Sequence, residues 1–178
     1  MRQWSAAWIY CSGERTYCPR HPSEKILTHI PKMETRYRPP NDVVFPRRSL
    51  QQEKHVTAQM LALARPFARK ILQDKKSLIH KTFSRFATRK YRCKPQQVTF
   101  DEEQQESMLR NTRLCTCTED CYGETDGSSI SISPDEPMTH DLLVSVVVHE
   151  ALHNYCKVRG RYMSTHNEHQ CMRSLGEP

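Results

Sequence analysis

His149-Glu150-Ala151-Leu152-His153 is the stretch whose residue types and spacing point most directly to a reaction. On an α-helix, side chains four apart share a face, with about 5–6 Å between Cβ atoms. Two imidazoles at that spacing can hold one Zn²⁺ from the same side, while Glu150 touches a zinc-bound water without being a ligand. The ion would bring the pKa of that water towards about 7 and polarise a carbonyl. Glu150 would then serve as the general base. A catalytic zinc needs a third protein ligand and one open position. Beyond Gly160 the candidates are His166, Glu168 and His169. The competing readings are a chance match on a buried helix, or a structural zinc site, where Glu150 has no task.

These residues need elements to hold them. Leu142, Leu143, Val146 and Val147 precede the motif at helical spacing, so one face can be buried. Thr139 is the expected N-cap of a helix running to about Arg159, and Gly160 the expected stop. Gln97–Phe100 and Ser129–Ser133 read as strands, with a tight turn at Asp126-Gly127. Ser129–Ser133 alternates with period two and is partly polar, which suits an edge strand. In zincins generally such an edge beside the active-site helix receives the substrate as an added strand, and a resemblance to them would make this stretch the candidate. The region 96–133 reads as strands and loops, and Asn167–Leu175 as a brief helix positioning the third ligand. Tyr162 is either an oxyanion donor or a ring packed on the helix end.

The pattern of strand, loop, HExxH helix and a histidine thirteen residues further on resembles the SprT-like (Spartan-type) zinc metalloproteases. Ser129-Ile130-Ser131-Ile132-Ser133-Pro134, Asp141-Leu142-Leu143 and His149–His153 carry the resemblance, which spans roughly residues 96–176. It implies an α+β, zincin-like (minigluzincin) domain, with a short mixed sheet packed on the active-site helix. It also implies His149, His153 and His166 as zinc ligands, Glu150 as the catalytic base, and work close to DNA. The family's usual His-Gly is His166-Asn167 here.

The chain has 178 residues and 37% hydrophobic content, enough for one small domain with an extension. Pro19, Pro22, Pro31, Pro39, Pro40 and Pro46 punctuate residues 1–50, which read as a basic arm; 51–178 reads as the domain. Ala58, Leu61, Leu63, Ala64, Phe67, Ile71 and Leu72 recur near a 3.6-residue period, and Leu78, Ile79, Phe83 and Phe86 continue it. Residues 51–90 are therefore expected to be largely helical, with a kink or an interruption at Pro66. Arg69, Lys70, Lys75, Lys76, Lys81, Arg85, Arg89, Lys90 and Arg92 make the rest of that surface basic. Net charge is +7, which suits a phosphate-bearing partner such as DNA as well as a simply solvated face.

No run of about 18 apolar residues appears, so no membrane span is expected. The N-terminus lacks the apolar core and cleavage site of a secretory signal. Eight cysteines without such a signal fit reduced thiols or metal ligands. An intracellular location, cytoplasmic or nuclear, is therefore expected over secretion. Cys11, Cys18 and His21, with His29, have a spacing that allows a second zinc. Cys115, Cys117 and Cys121 either share a metal, with Cys93 or Cys171 as a distant fourth, or are ordinary buried thiols. The function expected is zinc-dependent hydrolysis of peptide bonds in a protein substrate. The rivals are a zinc-stabilised nucleic-acid-binding module and a zinc hydrolase of a small substrate.

Overall fold

The computed structural model describes residues 52–116 and 121–176, Val44, and the backbone of Thr16–Pro19. The readings on Cys11, His21, His29, Cys117 and the Cys18 side chain lie outside the described residues, as does most of the 1–50 segment.

In chain order the elements are β1 (Thr16–Pro19), β2 (Lys54–His55), α1 (Ala58–Asp74), α2 (Lys76–Tyr91), β3 (Val98–Phe100) and α3 (Glu102–Arg110). There follow β4 (Arg113–Leu114), β5 (Cys121–Thr125), β6 (Ile130–Ile132), β7 (Pro137–Met138), α4 (His140–Leu152), β8 (Cys156–Val158), β9 (Arg161–Tyr162) and α5 (Thr165–Arg173). The fold is α+β, with five α-helices and small sheets among the described residues. The largest sheet has the order β1-β5-β6-β4, mixed because β4 runs parallel to β6 while the other pairs are antiparallel. A second sheet, β3-β8-β9, is antiparallel throughout, and β2 pairs with β7.

Nine of the thirteen residues of α4 are buried, Leu143 through Leu152 apart from Ser145. Its valines have only modest helix propensity, so packing rather than local preference holds it. Thr139 caps it as expected, its hydroxyl accepting from Leu142 N at 3.1 Å. Against one side lies α1, burying Leu61, Ala64, Ala68 and Leu72 at helical spacing. Against another lies β5, which comes so close at Gly123 that a Cβ there would sit 2.8 Å from Val146 Cγ1.

Several sequence expectations change. Helix α4 stops at Leu152, not near Arg159: His153 turns extended, and Asn154 takes a positive φ of 53°. Cys156–Val158 is needed as a strand, pairing with Val98–Phe100. Gly160 is not a helix stop. Arg159 (φ 52°) and Gly160 (φ 78°) form the two-residue connection of the β8–β9 hairpin, where a type I′ turn wants positive φ at both central positions. Helix α1 continues through Pro66, and the break falls at Lys75 instead. Glu102–Arg110 is a helix rather than strand or loop, started by Asp101, whose carboxylate accepts from Gln104 N at 3.1 Å. Ile130–Ile132 is not an edge, because β5 and β4 flank it on both sides and all three residues are buried. The Asp126-Gly127 turn is present, with Gly127 at φ 83°. Burial pushes the Asp126 carboxyl up, but hydrogen bonds from Ser128 and Ser129 outweigh it and hold the group at about 2.

Candidate metal centre

The last turn of α4 delivers His149 and Glu150, and the residue just past it delivers His153. All three are buried, Glu150 completely. Nε2 of His149 and Nε2 of His153 are 3.2 Å apart. Ligands about 2.0–2.1 Å from a tetrahedral zinc are about 3.3 Å from one another, so this pair already has the edge length of such a site. The third imidazole comes from α5. His169 stacks on His149 with ring centroids 5.2 Å apart and meets His153 edge-on at 4.8 Å. One ligand nitrogen from each of His149, His153 and His169 lies within 4.8 Å of the others, so the three can hold a metal ion. Burial, reinforced by His153 and His149, pulls His169 down to about 2. The ring is therefore neutral at physiological pH, the form that donates to a metal.

His166, the ligand implied by the family resemblance, is not in this group. It is exposed on α5, its Nε2 accepting from the Gln170 side-chain amide at 2.9 Å. The register of α5 explains the difference. Cys171 and Met172 are fully buried, and they draw the residues one turn earlier, Glu168 and His169, to the same inner side. His166 then points outward. The remaining rival, Glu168, holds a ligand in place. Its Oε2 is 2.9 Å from His153 Nδ1, and its Oε1 accepts from Asn154 N at 2.9 Å. A carboxylate only accepts, so Nδ1 carries the proton and the Nε2 lone pair faces His149. Glu168 was legible as a potential ligand but not in this supporting role, because spacing alone does not tell a ligand from its brace.

Neighbouring elements fix this arrangement. Gln105 of α3 donates to the Ala151 carbonyl inside the motif at 3.2 Å. Asp101 N donates to Tyr155 O at 2.8 Å, anchoring the chain just after His153. Asn167 donates to the Tyr91 hydroxyl at 2.5 Å, tying α5 to α2. The Tyr162 hydroxyl donates to Asp101 Oδ2 at 2.7 Å, and Lys157 reaches the same oxygen at 2.5 Å, so Tyr162 braces the β8–β9 hairpin in this structure.

The cysteines supply no further cluster among the described residues. Cys93, Cys156 and Cys171 are buried free thiols, Cys115 is an exposed one, and Cys121 is buried in β5. Burial pushes the Cys156 thiol up to about 12. No helix of the described residues is long and apolar enough to cross a membrane.

The fold and site thus define an α+β chain with a buried three-histidine cluster able to take a metal. Comparisons with protein-family models, with curated proteins and with solved structures find no match to the chain.

Proposed function

We propose that this chain is a zinc-dependent metalloendopeptidase with a zincin-like site, of the SprT-like kind that its motif order resembles, acting on protein near DNA. The observation that carries the reading is the convergence of His149, His153 and His169, with Glu168 bracing His153. Three histidines leave one position of a tetrahedral zinc open, whereas structural zinc sites are closed by four protein ligands. A bound zinc would supply Lewis acidity to the scissile carbonyl and make a water acidic near neutral pH. Glu150, next to a ligand on the same helix turn, takes the proton from the attacking water as the new C–O bond forms. It then returns that proton to the amine as the C–N bond breaks. The buried surroundings of Glu150 keep competing water away from this transfer.

The DNA part of the reading rests on Lys81, Arg85, Arg89, Lys90, Arg92 and Lys94. All are exposed, and no Asp or Glu lies between Lys81 and Lys94. By contrast Arg69, Lys70 and Lys76 are paired with Glu106, Asp74 and Glu102.

The test is Glu150→Gln in the full chain, with zinc content and casein cleavage measured together. Zinc should remain at one equivalent while cleavage falls by about 10²–10⁴-fold, the usual size of a general-base contribution. Wild-type cleavage by the variant would overturn the assignment of Glu150. A zinc-loaded wild type that cleaves no protein, with or without DNA, would pass the site to the binding-module or small-substrate reading.

A further inference from the structure

An extended peptide joins a sheet at an edge, where backbone donors and acceptors are still unpaired. The edge that matters here is set by α4. Strand β5 is the one pressed onto that helix, with the Gly123 backbone against Val146. Val146 and Glu150 are four residues apart, on one stripe of α4. On its inner side β5 pairs with β6. On its outer side it pairs antiparallel with β1, a segment about a hundred residues earlier in the chain.

That outer partner is lightly built. Thr16 pairs with Thr125 and Tyr17 with Glu124, but the register then slips, and Pro19 pairs with Cys121. Two steps along β1 thus match three along β5, a bulge that interrupts the ladder beside Gly123. Pro19 has no N–H to donate, so pairing cannot extend through it in the ordinary way. A four-residue outer strand with a bulge and a terminal proline belongs to the part of a fold that opens most readily.

We propose that Thr16–Pro19 is a built-in competitor: it occupies the outer edge of β5, and an extended polypeptide binds there as an antiparallel strand when β1 lifts away. What that polypeptide is for rests on the peptidase reading above; the exchange itself does not require catalysis. If β1 fills the edge about 90% of the time, it lowers the apparent affinity for a peptide about ten-fold.

The test uses the full chain carrying Glu150→Gln, so that bound peptide survives. The probe is a fluorescent synthetic peptide with the sequence of residues 14–21 and serine in place of Cys18. Adding Thr16→Pro and Tyr17→Pro, which blocks β1 pairing, should tighten peptide binding about ten-fold. Hydrogen exchange should show the amides of 121–125 losing protection in this variant and regaining it with peptide. Equal peptide affinity in the two chains, or unchanged protection of 121–125, overturns the proposal. If the two prolines also strip protection from α4, the milder Tyr17→Gly decides by the same comparison, with a gain of about three-fold expected and none overturning it. Peptide exchange in the Glu150→Gln chains, with no casein cleavage by the zinc-loaded wild type, would support the competitor strand while removing the peptidase reading.

Discussion

Three side chains on α5 separate the possible metal shells. His166, Glu168 and His169 all follow the HExxH motif at distances a loop can span, so chain length does not choose among them. Burial does, because Cys171 and Met172 anchor the helix and turn Glu168 and His169 inward together. His169→Ala should therefore abolish high-affinity zinc uptake in a competition titration against a chelating dye, while His166→Ala should leave it unchanged. The reverse result would restore His166 as the ligand and require α5 to rotate. Glu168→Ala removes no proposed ligand, yet it frees the His153 ring and the Asn154 amide. Loss of such a brace typically costs 10–100-fold in metal affinity, and that range is the expected outcome. Wild-type affinity in a folded Glu168→Ala chain would show that His153 is oriented by packing alone.

At the level of elements, the helix carrying the motif was legible because its valine and leucine run, its Thr139 cap and its chemistry all fall in one stretch. Strand 129–133 was equally clear from its alternation. Less visible were the elements whose conformation is decided by partners far away in sequence. Cys156–Val158 continues a helical-looking pattern, but Val98–Phe100 offers it a ladder, and Arg159-Gly160 folds the hairpin. Nor does period-two alternation reveal which strands lie on either side, so β6 looked like an edge. The β5–α4 contact was similarly hidden, since a lone glycine signals close approach without naming the neighbour. Gly123→Ala tests that contact. Its methyl would meet Val146 Cγ1 at 2.8 Å and Ile132 Cδ1 at 3.1 Å, both on stiff branched chains in the core. Overpacking of this kind costs about 1–3 kcal/mol, which should be read as a lower denaturation midpoint with an unchanged m-value. Adding Val146→Ala should recover part of the loss, so that the double variant is more stable than the sum of the singles. Simple additivity would mean that β5 and α4 do not touch at Gly123.

For the whole molecule the question is where the +7 charge acts. The cations of α1 and early α2 are largely spent on internal pairs: Arg69 makes a two-pronged contact with Glu106, and Lys76 binds Glu102. Further along, Lys81, Arg85 and Arg89 recur every four residues, so they form a line about 12 Å long on one face of α2. Arg92 and Lys94 extend that basic surface beyond the helix. Arg89 and Lys90 also sit in the last turn, where positive charge favours the helix end, so local stability alone accounts for part of the pattern. Salt dependence distinguishes the two roles. If the line follows a DNA backbone, affinity for a mixed-sequence duplex should fall linearly in log–log form with salt, by about 0.9 per phosphate contacted. Arg85→Gln with Arg89→Gln should then weaken binding and make that slope shallower by about two. Lys70→Gln, which removes a cation already paired with Asp74 at 2.8 Å, should change neither. Should the double variant lower thermal stability but leave the slope intact, the charges serve the helix, and the link between this site and DNA falls while the metal centre stands.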